Sequence, residues 1–236
     1  MFSFDQTAAA KKSREAILLC DRRTFVNRSV AVAAALITGA VTLEAAPNTD
    51  VQNTDLFSQM KWMNEPASYK KLGETMVVHS RAKTDFWRKT FYGYITDNGH
   101  LFYVETTGDF TFQARINGQY AALYEQAGLM VRLDAENWMK CGTVFDGRRH
   151  ASVVVTRDFS DWSTMPDLSD TADIWWRAVR KKDSIETLCS LDGQKFTSVR
   201  QGYFVPGGKV RVGIMCAAPE GPGFEATFTD LTLDTA

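Results

Sequence analysis

Trp87, Trp138 and Trp162 are flat rings, and Gln113, Arg115, Arg132, Asp134, Lys140, His150 and Arg177 are hydrogen-bonding groups. Most of them stand in stretches that otherwise read as β-strand. Rings of this kind stack on the apolar C–H faces of a sugar, while polar groups hold its hydroxyls. The chemistry these residue types suit is saccharide recognition. For catalysis, Glu125, Asp134 and Asp146 are the acids to test, because glycosidic chemistry uses a pair of carboxylates at defined separation. The tightest spacing, Asp134-Ala-Glu136, leaves Glu136 in a turn. The competing reading places the tryptophans in the core and leaves the charges solvated.

The elements that must position these groups are strands. In residues 126–134, Ala127, Leu129, Val131 and Leu133 alternate with Met130, Arg132 and Asp134. This period of two gives one apolar face and one mixed face. Trp138 and Lys140 share a face on the next strand, after the turn Asp134–Asn137. A second turn, Asp146–Arg149, leads into 149–157. In residues 109–117, Phe110, Phe112, Ala114 and Ile116 oppose Thr111, Gln113 and Arg115. Asp97-Asn98-Gly99 and Asp192-Gly193 are hairpin signals. Residues 84–91 are polar and aromatic together and do not read as a core strand. Asp158–Asp173 reads as a long loop carrying Trp162. The expectation is twelve or thirteen strands from Leu56 onward in one antiparallel β-sandwich or jelly roll.

Composition narrows the classes. The chain has 236 residues, 44% hydrophobic and 23% charged, which is ordinary for a globular protein. Net charge is −1 and no basic patch follows a phosphate backbone, so nucleic acid is not the expected partner. Cys20, Cys141, Cys189 and Cys216 show no CxxC spacing and only three histidines exist, which argues against zinc. Buried free thiols are the expected state of the last three. No cofactor is called for; Asp158, Asp161, Asp167 and Asp170 are the oxygen donors available to a Ca²⁺ ion if one binds.

The first 46 residues read as a leader rather than as part of the fold. Val30–Val41 is apolar, small and uncharged, too short to span a bilayer and of the length of a signal core. Asp21-Arg22-Arg23-Thr24-Phe25-Val26-Asn27 before it resembles the twin-arginine export signal, with Asp21 and Asn27 departing from the pattern. The division expected is a signal peptide over 1–46, a linker over 47–55 and a β-sandwich over 56–236. The location expected is exported, periplasmic or secreted, with no membrane contact in the mature form.

Several separated segments also resemble one family. EQAGLMVRLDAENWMKCG, FDGRRHASVVVTRDFSDWS and RVGIMCAAPEGPGFEATFTDLTL, with the upstream KWMNEPASYKKLGETMVVHSRAKTDFWRKTFYG, are similar to a family of uncharacterised β-sandwich domains. That family includes the yeast regulation-of-enolase protein and lies in the concanavalin A-like lectin/glucanase superfamily. The resemblance covers about residues 56–234. It implies a two-sheet jelly roll with a concave face. Retaining enzymes of the superfamily carry a Glu-x-Asp-x-Glu strand, and no such triple stands here. The reading favoured is therefore carbohydrate binding without catalysis. The alternatives are a glycoside-active enzyme and a protein-interaction module.

Overall fold

The computed structural model describes residues 55–165, 168 and 173–235. The leader and nearly all of the linker expected from the sequence lie outside these residues, as do Cys20, Asp167 and Asp170. Among the described residues no helix is long and apolar enough to cross a membrane.

The architecture is all-β, two antiparallel sheets packed face to face. The first sheet has the order β1 (Lys61–Met63), β6 (His100–Thr106), β15 (Val210–Ala217), β8 (Gln126–Arg132), β9 (Asn137–Phe145), β10 (Arg149–Arg157), β11 (Phe159–Met165). The second has the order β14 (Thr197–Tyr203), β13 (Ser184–Ser190), β12 (Asp173–Lys181), β7 (Phe110–Gly118), β16 (Glu225–Thr235), β3 (Thr75–His79), β2 (Ser68–Leu72). Leu129, Val131, Val153 and Ile214 of the first sheet meet Phe112, Ile116, Trp176 and Phe228 of the second in one core. The alternation in β7 and β8 places these residues as the period of two requires. Cys141, Cys189 and Cys216 are free and buried; burial pushes the thiols of Cys141 and Cys216 up to about 12.

Three local features differ from the sequence reading or lie outside it. Residues 56–59 form a short helix, α1 (Leu56–Gln59), because the Asp55 carboxylate accepts from the Phe57 N–H and caps it. The supposed loop 158–173 contains β11, which pairs with β10 from Arg157↔Phe159 to Ala151↔Met165. Ser68–Leu72 forms the edge strand β2 although all five of its residues are exposed.

The fourth difference matters most for function. The middle strands of the first sheet, β8 and β9, are buried on both faces. Residues 84–99 fold back across the sheet's outer face as a small hairpin, β4 (Phe86–Arg88) with β5 (Ile95–Asp97). Phe86 and Trp87 from this roof pack on Leu101, Tyr103, Met130, Trp138, Val154 and Met215 of the sheet, making a second, smaller core. The mixed face of β8 and β9 is thus covered rather than solvated.

Candidate functional site

The strand registers lay out the outer face of the first sheet as rows. Gln126 stands opposite Val144, Gly128 opposite Gly142, Met130 opposite Lys140 and Arg132 opposite Trp138. On the far side of β9, Ser152 stands opposite Gly142 and Val154 opposite Lys140. Val154 in turn faces Trp162 on β11. At the centre of this grid the two facing glycines remove side chains from the floor. A Cβ on Gly142 would lie 2.3 Å from the Ala127 carbonyl oxygen, and one on Gly128 1.9 Å from that of Cys141. No other residue fits between these strands.

A cleft of about 150 Å³ opens over this depression. Its floor is Gln126, Lys140, Val144, Ser152 and Val154. Trp87, Tyr92 and Tyr94 of the roof, with Tyr124 and Trp162, wall it with aromatic rings, and Asp85 and Glu220 add two carboxylates. The rings brace one another. Trp162 meets Trp87 edge-on at 6.3 Å and Tyr124 at 6.2 Å, and Tyr92 stacks on Tyr94 at 5.5 Å. The Trp162 indole N–H donates to the Ser152 hydroxyl at 2.9 Å, which fixes the ring against the floor. A hydrogen bond to Tyr124, with burial, raises the pKa of the Tyr92 phenol. Burial and the nearby Asp85 do the same for Tyr94. Both phenols therefore stay neutral donor–acceptor groups.

The polar centre of the cleft is Lys140 with Asp85. Lys140 is almost wholly buried, and its Nζ donates to the Phe86 carbonyl at 2.7 Å and to Asp85 Oδ1 at 3.2 Å. Burial lowers its pKa and Asp85 opposes that shift. Asp85 Oδ1 also accepts from Phe86 N at 2.8 Å and from Gln126 Nε2 at 3.1 Å. One carboxylate oxygen thus takes three protein donors.

The roof is held down by ionic pegs as well as by its small core. Arg132, whose side chain is 4% exposed, forks onto Asp97 with bonds of 2.8 and 2.7 Å. Arg88 reaches Asp158 at 2.8 Å and Glu136 at 3.0 Å, and its backbone N–H donates to the Ser160 hydroxyl. Hydrogen bonds from Arg88 and Lys89 hold the Asp158 carboxyl below the usual range. At the other end, His100 Nδ1 donates to the Asn64 carbonyl at 2.7 Å and its Nε2 accepts from Arg81 N at 2.9 Å. Burial lowers its pKa and keeps it in this neutral tautomer.

Against this geometry the residues singled out in the sequence separate into four groups. Trp87, Lys140 and Trp162 line the cleft. Arg132 and Trp138 share its sheet face but lie under the roof; Trp138 is 1% exposed, packs on Phe86 at 6.2 Å and donates its indole N–H to the Ala135 carbonyl. His150 stands beside Val144 on the same face, paired with Asp146 at 2.6 Å. Gln113, Arg115 and Arg177 are on the outer face of the second sheet, the opposite side of the sandwich, where Arg177 Nε and Nη2 donate to Gln113 at 2.9 and 2.6 Å. They cannot share a ligand with Lys140.

The three acids proposed for catalysis are each committed to local structure. Glu125 is buried and accepts from Ala121 N at 2.7 Å and Ala122 N at 3.0 Å. Asp134 accepts from Glu136 N and Asn137 N and caps its turn; burial works against its ionised form, but those donors hold its carboxyl below the usual range. Asp146 is paired with His150. Of the oxygen donors considered for calcium, Asp158 is engaged by Arg88 and Lys89 and Asp161 by Arg200. Among the described residues no group of three or more His, Cys, Asp or Glu is arranged to hold a metal ion.

The residues sequence reasoning passed over are Gln126, Ser152, Tyr92, Tyr94, Tyr124 and Glu220. Gln126 and Ser152 were available from alternation, since they lie in phase with Met130 and Val154 on the mixed face. The tyrosines gave no such signal. Tyr92 and Tyr94 sit in a tight turn with left-handed backbone at Lys89, Phe91 and Gly93, and Tyr124 is itself left-handed at φ 66°.

A family model described as "Protein of unknown function (DUF1349)" matches residues 62–236. The chain belongs to the DUF1349 family. "Regulation of enolase protein 1" of Saccharomyces cerevisiae is 39% identical over 183 residues, which is 77% of this chain and 92% of that protein. A crystal structure described as that of a functionally unknown protein from Saccharomyces cerevisiae is similar at TM-score 0.74 and 38% identity, covering 76% of this chain and 98% of the other. The carbohydrate binding module CBM66 from Bacillus subtilis is similar at TM-score 0.51 and 12% identity, covering 74% and 95%. This last likeness is one of fold. The DUF1349 relatives overturn the expected location. They are yeast proteins, from a cell without a periplasm. The expectation of an exported, periplasmic or secreted protein is therefore corrected.

Proposed function

We propose that this DUF1349 chain binds a carbohydrate in the roofed cleft on the first sheet, without transforming it. The observation that carries the reading is the composition of the cleft. Five aromatic side chains surround a floor bearing an amide, a hydroxyl and a lysine–aspartate pair. Rings offer faces to the C–H side of a sugar, and fixed donors and acceptors select its hydroxyls. A volume of about 150 Å³ is below the ~300 Å³ at which sites for drug-sized ligands begin, and suits a single sugar ring. The sandwich fold shared with a module described as carbohydrate-binding agrees with this reading.

One observation favours a glycoside-active enzyme as the second reading. Asp85 and Glu220 border the same cleft, so two carboxylates flank one ligand position. Asp85 is tied to Lys140, Gln126 and its neighbour's N–H, which suits orientation of hydroxyls better than proton transfer.

The test is a glycan array followed by titration of the whole chain with mono- and oligosaccharides of xylose, glucose and mannose, read by tryptophan fluorescence. Trp87 and Trp162 are in the cleft, so binding changes the emission. Binding that Trp162→Ala weakens supports the reading, and failure to bind any glycan overturns it. Release of reducing ends, lost in Asp85→Asn or Glu220→Gln, moves the assignment to the enzyme.

A further inference from the structure

Beside the cleft lies a second, open depression of about 490 Å³. Trp87, Tyr92 and Trp162 line both; Phe91, Phe159 and Asp161 belong to the second alone. Phe91 is 93% exposed and Phe159 57%, although neither helps to fill a core. Phe91 is held in left-handed backbone at φ 62°, which keeps its ring beside Tyr92 at 5.0 Å. Lys89 lies 5.0 Å from the Phe159 ring and is tied by Asp158, so this ring too has a fixed neighbour. Exposed aromatic side chains clustered at one place on a surface mark a contact site.

We infer that the cleft and this shelf form one site for a saccharide chain of at least two rings, the first held in the cleft and the next stacked on Phe91 and Phe159. The inference rests on the carbohydrate reading of the cleft. The occupant is fixed by continuity: the Trp87 and Trp162 indoles are walls of both spaces, so a ligand that stacks in one is carried to the edge of the other. The chemistry differs between the two positions. In the cleft, Asp85, Gln126, Lys140 and Ser152 select hydroxyls; on the shelf, Phe91 and Phe159 offer faces with Asp161 as the neighbouring acceptor. The first ring is accordingly recognised by identity, and the second by its apolar face.

The experiment titrates the full chain with xylose, glucose and mannose as single rings and as their β-1,4-linked dimers and trimers. In a series that binds, affinity is expected to rise roughly tenfold from one ring to two, the scale of one aromatic stacking contact with its buried area. The rise from two rings to three is expected to be less than about twofold. Phe91→Ala and Phe159→Ala together are expected to abolish the first rise and leave single-ring affinity unchanged; both side chains are exposed, so folding is retained. Equal affinity for one and two rings overturns the shelf while sparing the cleft, as does a rise that survives both substitutions. Absence of binding in every series overturns the cleft reading and the shelf with it. Sedimentation velocity supplies a separate check: self-association lost in Phe91→Ala assigns the aromatic surface to a protein contact and overturns the proposal.

Discussion

The two sheets carry outer faces written in the same sequence code and put to different use. On the first sheet, Arg132, Trp138 and Lys140 alternate with core residues; on the second, Gln113, Arg115, Trp175 and Arg177 do. On the second sheet these side chains pair among themselves at the surface. Arg115 lies 4.8 Å from the Trp175 ring and pairs with Asp173, and Arg177 lies 3.5 Å from the Phe196 ring. On the first sheet the 84–99 hairpin covers them, so the basic residues become pegs for Asp85 and Asp97 and the tryptophan becomes core. A charged, aromatic face is thus not yet a binding face. The walled gap of the first sheet arises where a covering segment shields most of such a face.

The sharpest break of this comparison is a pair of arginines. Arg132→Ala strands Asp97 and loosens the roof; the expected cost is about 3 kcal/mol in urea unfolding, with loss of saccharide binding. Arg115, with 38% of its side chain exposed, belongs to the other regime. If both substitutions cost the same, the distinction between the faces fails. Next in size is a pair of tryptophans. Trp162→Ala is expected to weaken saccharide binding roughly tenfold, while Trp175→Ala leaves it unchanged. Fluorescence titration decides.

A third effect comes from pH. Burial lowers the pKa of His100 below its ordinary 6.5. The unfolded chain then binds more protons than the folded one between the two values. The stability contribution is present in full above about 6.5 and is lost as pH falls. Urea midpoints measured at pH 7.5 and 5.5 should show the decline, and His100→Asn should flatten it. Protonation would set an N–H on Nε2 against the Arg81 N–H, so the Arg81–His100 hydrogen bond is what gives way. The smallest effect is Arg115→Ala itself, expected to cost less than about 1 kcal/mol, as exposed ion pairs do.

The sandwich was legible because β7 through β10 alternate cleanly and end at strong turns. The in/out assignment of Leu129 and Val131 against Met130 and Arg132 follows from that period alone. The roof was not legible. Its strands β4 and β5 have three residues each, too few for a period, and its apolar groups pack on the far side of a sheet whose own pattern already promised a solvent face. Trp138 reads as a surface ring for the same reason: alternation tells which face a side chain takes, not what lies over that face. Gln113, Arg115 and Arg177 of the second sheet read like Lys140 because both sets are outward, and sequence does not say from which sheet.

The glycine pair in the floor sets a limit on how the cleft can diversify. At Gly128 and Gly142 a side chain would run into the neighbouring strand's carbonyl, so the floor cannot be raised by ordinary substitution. The hairpin tip is different: Phe91, Tyr92 and Tyr94 are exposed and bear little of the fold's packing. The shape of the cleft is therefore open to change from above rather than from below. One floor can serve under different tips, much as one lock body accepts different pin sets.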